Sequence, residues 1–127
     1  MDQRSERMRL ALLWIPVILY MAGIFVASSL SNPPVPSNVP DYSLHETAYF
    51  GLTLLVIRAL ARGRWRNVTV GVLIGACVIA VAYGATDEVH QSFVPERHPE
   101  WRDLRSDAIG AGVAAAVVKL WDIIRRL

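Results

Sequence analysis

Residues 10–30 read LALLWIPVILYMAGIFVASSL, 21 consecutive positions without a charged side chain. A helix needs ~20 apolar residues to cross the hydrocarbon layer of a bilayer, so this run is long enough to span one. Residues 68–86, VTVGVLIGACVIAVAYGAT, form a second charge-free run of 19 residues. A soluble domain of 127 residues has nowhere to bury two such segments. The fold class expected is all-α: one integral membrane domain over residues 1–127, a bundle of four transmembrane helices with both termini cytoplasmic. The expected spans are about 8–30, 43–61, 67–86 and 107–124.

The first run differs from a secretory signal. Arg4, Arg7 and Arg9 precede it and Ala27-Ser28-Ser29 supplies small residues, but the apolar region of a signal is usually only ~7–15 residues long. It reads as a retained first helix, with Pro16 expected to kink it. Composition adds little: 54% of residues are apolar and 19% charged, and a formal charge of +2 is too small to argue for a nucleic-acid partner. Cys77 is the only cysteine and sits inside the second run. It reads as a small apolar packing residue, with no disulfide to mark a compartment.

Between the runs, residues 31–40 are polar and hold four prolines, which predicts an extended loop outside the apolar layer. Ser43-Leu44-His45-Glu46 has the S-x-x-E form of a capping box and predicts the second helix to begin there. That helix ends among Arg58, Arg62, Arg64 and Arg66. Gly71 and Gly75, four apart in the third helix, are placed to let another backbone approach closely. The last apolar segment, Ala108 to Val118, is only 11 residues long. It spans if Lys119 snorkels to the interface and pairs with Asp122. The alternative is three spans with a partly inserted final helix.

Charge orients the bundle. With four spans, Arg4, Arg7, Arg9, Arg58, Arg62, Arg64, Arg66, Lys119, Arg125 and Arg126 fall on one side and only Arg97, Arg102 and Arg105 on the other, 10 against 3. The positive-inside rule assigns the ten to the cytoplasm. Eight acids, Asp41, Glu46, Asp87, Glu88, Glu96, Glu100, Asp103 and Asp107, fall on the opposite side.

The chemistry concentrates in residues 87–97, DEVHQSFVPER, followed by Asp103 and Asp107. If the third helix continues through Gln91, then Asp87, His90 and Gln91 share a face, and Glu88 also neighbours Gln91. Asp103, Asp107 and Gly110 share a face of the next helix, and His45, Glu46 and Tyr49 reach the same membrane surface. Glu46, Asp103 and Asp107 are equally well explained as acids favouring helix N-termini. Asp87 and Glu88 are not, because they follow a helix C-terminus, where the dipole disfavours negative charge. They need a stabiliser such as Arg97, or a function. No enzyme motif accompanies them: the second histidine of H-E-x-x-H, a G-x-S-x-G elbow, a phosphate loop and a cysteine pair are all absent. Acids and histidine suit a hard divalent ion, but no spacing specifies one, so no metal and no cofactor are expected.

The string Asp87-Glu88-x-x-Gln91-x-Phe93-x-Pro95-x-Arg97, followed by Asp103 and Gly110, resembles the signature of VanZ-like proteins. Asp41-x-x-x-His45 with Tyr49 and Leu52 is similar to that family's pattern at the start of its second helix. Tyr42, Glu46, Glu96 and Asp107 stand where the family often has Lys, Phe, Gly and Asn. The resemblance therefore carries the fold and not a ligand preference. It implies a multi-pass protein of the bacterial cytoplasmic (inner) membrane, in a family whose namesake is associated with low-level teicoplanin resistance.

The leading expectation is an outward-facing polar pocket of His45, Asp87, Glu88, Gln91, Arg97, Asp103 and Asp107. It would bind the headgroup of a membrane lipid or lipid-linked cell-wall precursor, with Arg97 on phosphate or carboxylate and the acids and Gln91 on hydroxyls or amines. One alternative is an intramembrane enzyme using Asp87 or Glu88 as base and Arg97 for anionic charge. The other is a structural or partner-binding subunit that oligomerises through Gly71, Gly75 and the Ala/Gly-rich last helix.

Overall fold

The computed structural model describes residues 2–32 and 35–127, so Pro33 and Pro34 of the expected loop lie outside the described residues. The described residues form four α-helices and no strand: α1 (Gln3–Ser28), α2 (Asp41–Leu60), α3 (Val70–Gln91) and α4 (Trp101–Arg125). They run up and down. The C-termini of α1 and α3 meet the N-termini of α2 and α4 at one end, where the acids gather. Most of the arginines gather at the other, while Arg97, Arg102 and Arg105 stay at the acidic end.

The helix ends depart from the sequence expectations for local reasons. α1 starts at Gln3 rather than near residue 8, because the Asp2 side chain accepts the Arg4 backbone N–H at 3.1 Å and caps it. α2 begins at Asp41, two residues before the expected capping box. Pro40, with extended dihedrals (φ −66°, ψ 142°), precedes it, and the Ser43 N–H already bonds to the Pro40 carbonyl at 3.1 Å. Ser43 is thus helical and caps nothing. α3 starts at Val70, capped by the Thr69 hydroxyl, and continues through Gln91. α4 begins at Trp101, six residues before the expected span, which puts Asp103 in its first turn.

The buried core centres on α2, where Tyr49, Leu52, Val56, Ile57 and Ala59 meet Leu13 and Val17 of α1, Leu73, Ala76 and Ala80 of α3, and Ala111 and Val118 of α4. The alanines on α3 and α4 let helix axes approach. Closest of all is Gly110 of α4. A Cβ there would strike the Glu46 carbonyl oxygen and lie 2.9 Å from its carbon and 3.0 Å from its Cα. Gly71 and Gly75 have no such neighbour: only the Thr69 hydroxyl, at 3.7 Å, and a Leu60 methyl, at 3.6 Å, come near. Within the chain, the close approach is made by the Ala/Gly-rich last helix and not at Gly71 or Gly75.

Two helices, α1 and α3, are long and apolar enough to cross a membrane. Only 11% of the most apolar stretch of α1 is buried, and 28% of that of α3. Leu12, Ile18, Leu19, Val26, Ile74 and Val78 point outward instead, as side chains facing lipid do and those of a soluble core helix do not.

At the basic end, Glu6 pairs with Arg9 (3.8 Å) and Arg62 (3.5 Å), and the Arg9 guanidinium donates to the Arg62 carbonyl. Asp122 pairs with Arg125 (2.5 Å) and Arg126 (3.1 Å). The expected Lys119–Asp122 pair does not form, because Lys119 is exposed and the two arginines, three and four residues on, reach the carboxylate.

Candidate functional site

α2, α3 and α4 each bring ionisable groups to the acidic end at their register positions. His45 lies one turn into α2 and is partly buried; its Nδ1 is 2.8 Å from Asp107 Oδ1, and its Nε2 is 3.7 Å from Asp103 Oδ2. Asp107 is only 1% exposed and lies against α3 where Gly84 leaves room. A Cβ at Gly84 would stand 2.6 Å from Asp107 Oδ2 and 3.3 Å from the Tyr49 ring. Glycine at residue 84 is thus what admits a carboxylate between α3 and α4.

On α3, Asp87 and Gln91 are buried, and the Gln91 amide lies 3.5 Å from Asp87 Oδ2. Asp87 Oδ1 accepts from the Ser28 hydroxyl at 2.6 Å. His90 Nδ1 lies 3.1 Å from the same hydroxyl and 3.7 Å from Asp87 Oδ1, and its ring stacks on Phe25 at 4.2 Å. Glu88 Oε2 accepts the backbone N–H of Glu100, the residue that caps α4, at 3.1 Å. These bonds answer the dipole problem posed by acids at the end of α3. Each is held by donors from another element, and the positive N-termini of α2 and α4 lie beside them.

Arg97 does not play the part expected of it. It makes no ion pair with Asp87 or Glu88, and among the described residues no arginine or lysine lies within 4.0 Å of the carboxylates of Asp87, Glu88, Asp103 or Asp107. Arg97 sits partly buried in the turn after α3, near enough to Asp103 to favour its charged form. Burial nonetheless holds the Asp103 carboxyl above its usual range. His45 opposes that shift, Glu100 and Asp41 add to it, and Arg97 pulls the other way. The turn itself is strained at Glu96, whose φ of 66° is left-handed. That is the position where the resembling family often has glycine.

Six of the seven expected pocket residues therefore come together: His45, Asp87, Glu88, Gln91, Asp103 and Asp107. Arg97 is at the rim. Three contributors escaped the expected set. Ser28 is a serine ending an apolar run at the level of Asp87. Tyr49 lies one helical turn beyond His45. His90 shares the Asp87 face. Tyr49 is 1% exposed, and its hydroxyl has no hydrogen-bond partner among the described residues. The buried Glu88 Oε1 likewise has none. Beside the cluster, a groove of about 230 Å³ opens between α2 and α4, lined by Glu46, Thr47, Phe50, Ile109, Gly110 and Val113.

The family model described as VanZ/LLP1 matches residues 10–122, nearly the whole chain. No curated protein and no solved structure matches.

Proposed function

This chain belongs to the VanZ/LLP1 family, and we propose that it is a membrane protein whose acidic end binds the polar headgroup of a lipid or lipid-linked cell-wall precursor. The observation carrying this reading is the gathering of His45, Asp87, Glu88, Gln91, Asp103 and Asp107 at one end of helices whose flanks are apolar. Four buried or half-buried carboxylates without an arginine or lysine partner suit hydroxyl and amine donors of a saccharide, peptide or ethanolamine group. Arg97 at the rim suits a phosphate. The α2–α4 groove, apolar along Phe50, Ile109 and Val113, offers a path for an acyl or prenyl chain.

The topology proposed with it has four spans and both termini in the cytoplasm of a bacterial inner membrane, with the acidic end outward. The distribution of arginines supports that orientation. Teicoplanin resistance, suggested by the family resemblance, belongs to this proposal and is read from the inhibitory concentration of the drug in cells with and without the chain.

Binding is tested by native mass spectrometry of the purified chain with phosphatidylethanolamine, phosphatidylglycerol and a polyprenyl-pyrophosphate-linked saccharide. Retention of one of the three, reduced at least tenfold in a Glu88→Gln/Arg97→Gln variant, is expected. Equal retention of all three by wild type and variant overturns the reading. The unpartnered Glu88 Oε1 favours one second reading, in which Glu88 acts as a general base on such a lipid. Product formation that stops in Glu88→Gln while binding survives distinguishes it.

A further inference from the structure

The acidic end holds more negative charge than its protein partners neutralise. Among the described residues, His45 answers Asp103 and Asp107 at ion-pair distance, His90 answers Asp87, and no cation answers Glu88. Charges taken from water need a partner, and two imidazoles are too few for four carboxylates. Within this group, a ring nitrogen of His45, a carboxylate oxygen of Glu88 and one of Asp107 all lie within 4.8 Å of one another. Each comes from a different helix: α2, α3 and α4.

A second observation points to the same spot. Tyr49 is buried to within 1% of its surface, its hydroxyl is unpartnered, and that hydroxyl lies in the field of the Asp107, Asp87 and Glu88 carboxylates. Glu88 Oε1, on one of the three candidate ligands, is also buried without a partner. Buried polar atoms are ordinarily hydrogen-bonded, so two orphans beside one cluster call for a ligand.

We propose that His45, Glu88 and Asp107 bind a single divalent transition-metal ion, with the Tyr49 hydroxyl donating to an oxygen in its coordination shell. One imidazole and two carboxylates form a mixed N/O donor set. Such a set suits zinc, manganese or iron(II) better than calcium or magnesium, which prefer all-oxygen cages. Ligands ~2.1 Å from a tetrahedral ion stand about 3.4 Å apart, so no pair closes by more than about 1.4 Å, and the His45–Asp107 hydrogen bond, at 2.8 Å, opens slightly as the ion replaces its proton. Glu88, partly buried and on a flexible stem, has room to supply most of that movement. Three protein ligands leave at least one coordination position open. Because the ligands sit on three helices, the ion ties α2, α3 and α4 together. Asp103, 3.7 Å from His45 Nε2, is placed to orient the imidazole from outside the shell. The site shares residues with the headgroup reading but does not rest on it.

The test uses the 127-residue chain, purified in a non-ionic detergent and stripped with chelator, titrated with Zn²⁺ and with Mn²⁺ in the absence of any lipid headgroup. One ion per chain is expected, with a raised thermal unfolding midpoint for the loaded protein. His45→Gln and Asp107→Asn should each weaken binding at least 100-fold, and Tyr49→Phe by roughly 10–100-fold. Gly112→Ala, on the open side of α4, should leave it unchanged. X-ray absorption on the loaded wild type needs no variant to fold, and should show one imidazole among N/O ligands at about 2.0–2.2 Å. Wild type that binds no ion, a bound ion without imidazole, or full affinity in a folded His45→Gln variant overturns the site. Failure here leaves headgroup binding standing, and failure of headgroup retention leaves the ion standing.

Discussion

Helix α4 carries a buried aspartate near each end, and the two are treated differently. Asp122 meets the guanidinium groups of Arg125 and Arg126, which stay charged at any pH the protein meets. Asp107 meets only the ring of His45, at 2.8 Å, among three further carboxylates. The charge of Asp122 is thus fully answered by fixed partners. The charge state of the acidic end depends on protons, on ions and on whatever binds there. Permanent neutralisation suits an anchor, and conditional neutralisation suits a site.

The comparison is sharpened most by Gly110, which decides how closely α2 and α4 meet at the acidic end. Gly110→Ala forces a Cβ into the Glu46 backbone and should destabilise by about 3 kcal/mol in denaturant unfolding. Gly112→Ala, two residues on, meets nothing within 4 Å and should be neutral or slightly stabilising. Equal losses at both would mean the close approach is not what holds that end.

Ser28→Ala removes the hydroxyl that donates to Asp87 and should cost about 2 kcal/mol, the scale of a lost hydrogen bond to a buried charge. A still smaller effect separates the ends by sign. Glu88→Gln removes one negative charge from an uncompensated cluster and keeps an acceptor for the Glu100 N–H, so stability should hold or rise by up to ~1 kcal/mol. Asp122→Asn should lower it, because the two arginines lose their partner. Destabilisation by both substitutions, to a similar degree, breaks the contrast.

The smallest effect is in pH. Asp103 titrates above its ordinary value in the folded chain, so folding takes up a proton there. The stability it contributes is fully present below the unfolded value of about 3.9 and is lost as pH rises through the raised folded value. Asp103→Asn should flatten that part of the stability–pH profile, read by thermal unfolding across mildly acidic buffers. An unchanged slope removes Asp103 from the cluster's charge balance.

Much of this arrangement was legible in the sequence where the signal is local. Two charge-free runs marked α1 and α3, and the spacing of Asp87 and Gln91 put both on one face. The spacing of Asp103, Asp107 and Gly110 worked in the same way on α4. What escaped depends on contacts between distant residues. Ser28 earns its place only because Asp87 arrives beside it, 59 positions later. The small-residue spacing of Gly71 and Gly75 is a real pattern without a backbone to meet, whereas Gly110 has one. The capping box failed because Pro40 starts α2 earlier, a choice between two adequate local signals that no spacing rule resolves. Charge alone pairs Arg97 with Asp87 and Glu88, but Ser28 and Gln91 hold Asp87 and the Glu100 amide holds one oxygen of Glu88 without it.

The fastening of α1 has a consequence for how the chain is made. Ser28 is held by Asp87, and the Met21 carbonyl by the Tyr83 hydroxyl 62 residues downstream, while little of the helix's apolar surface is covered. Synthesis proceeds from the N-terminus, so α1 is made before the α3 residues that clasp its C-terminal half. Until α3 is complete, α1 is held through α2 alone, by the packing of Leu13 and Val17 and by the contacts of Glu6 and Arg9 with Arg62, so its basic end is fastened before its acidic end.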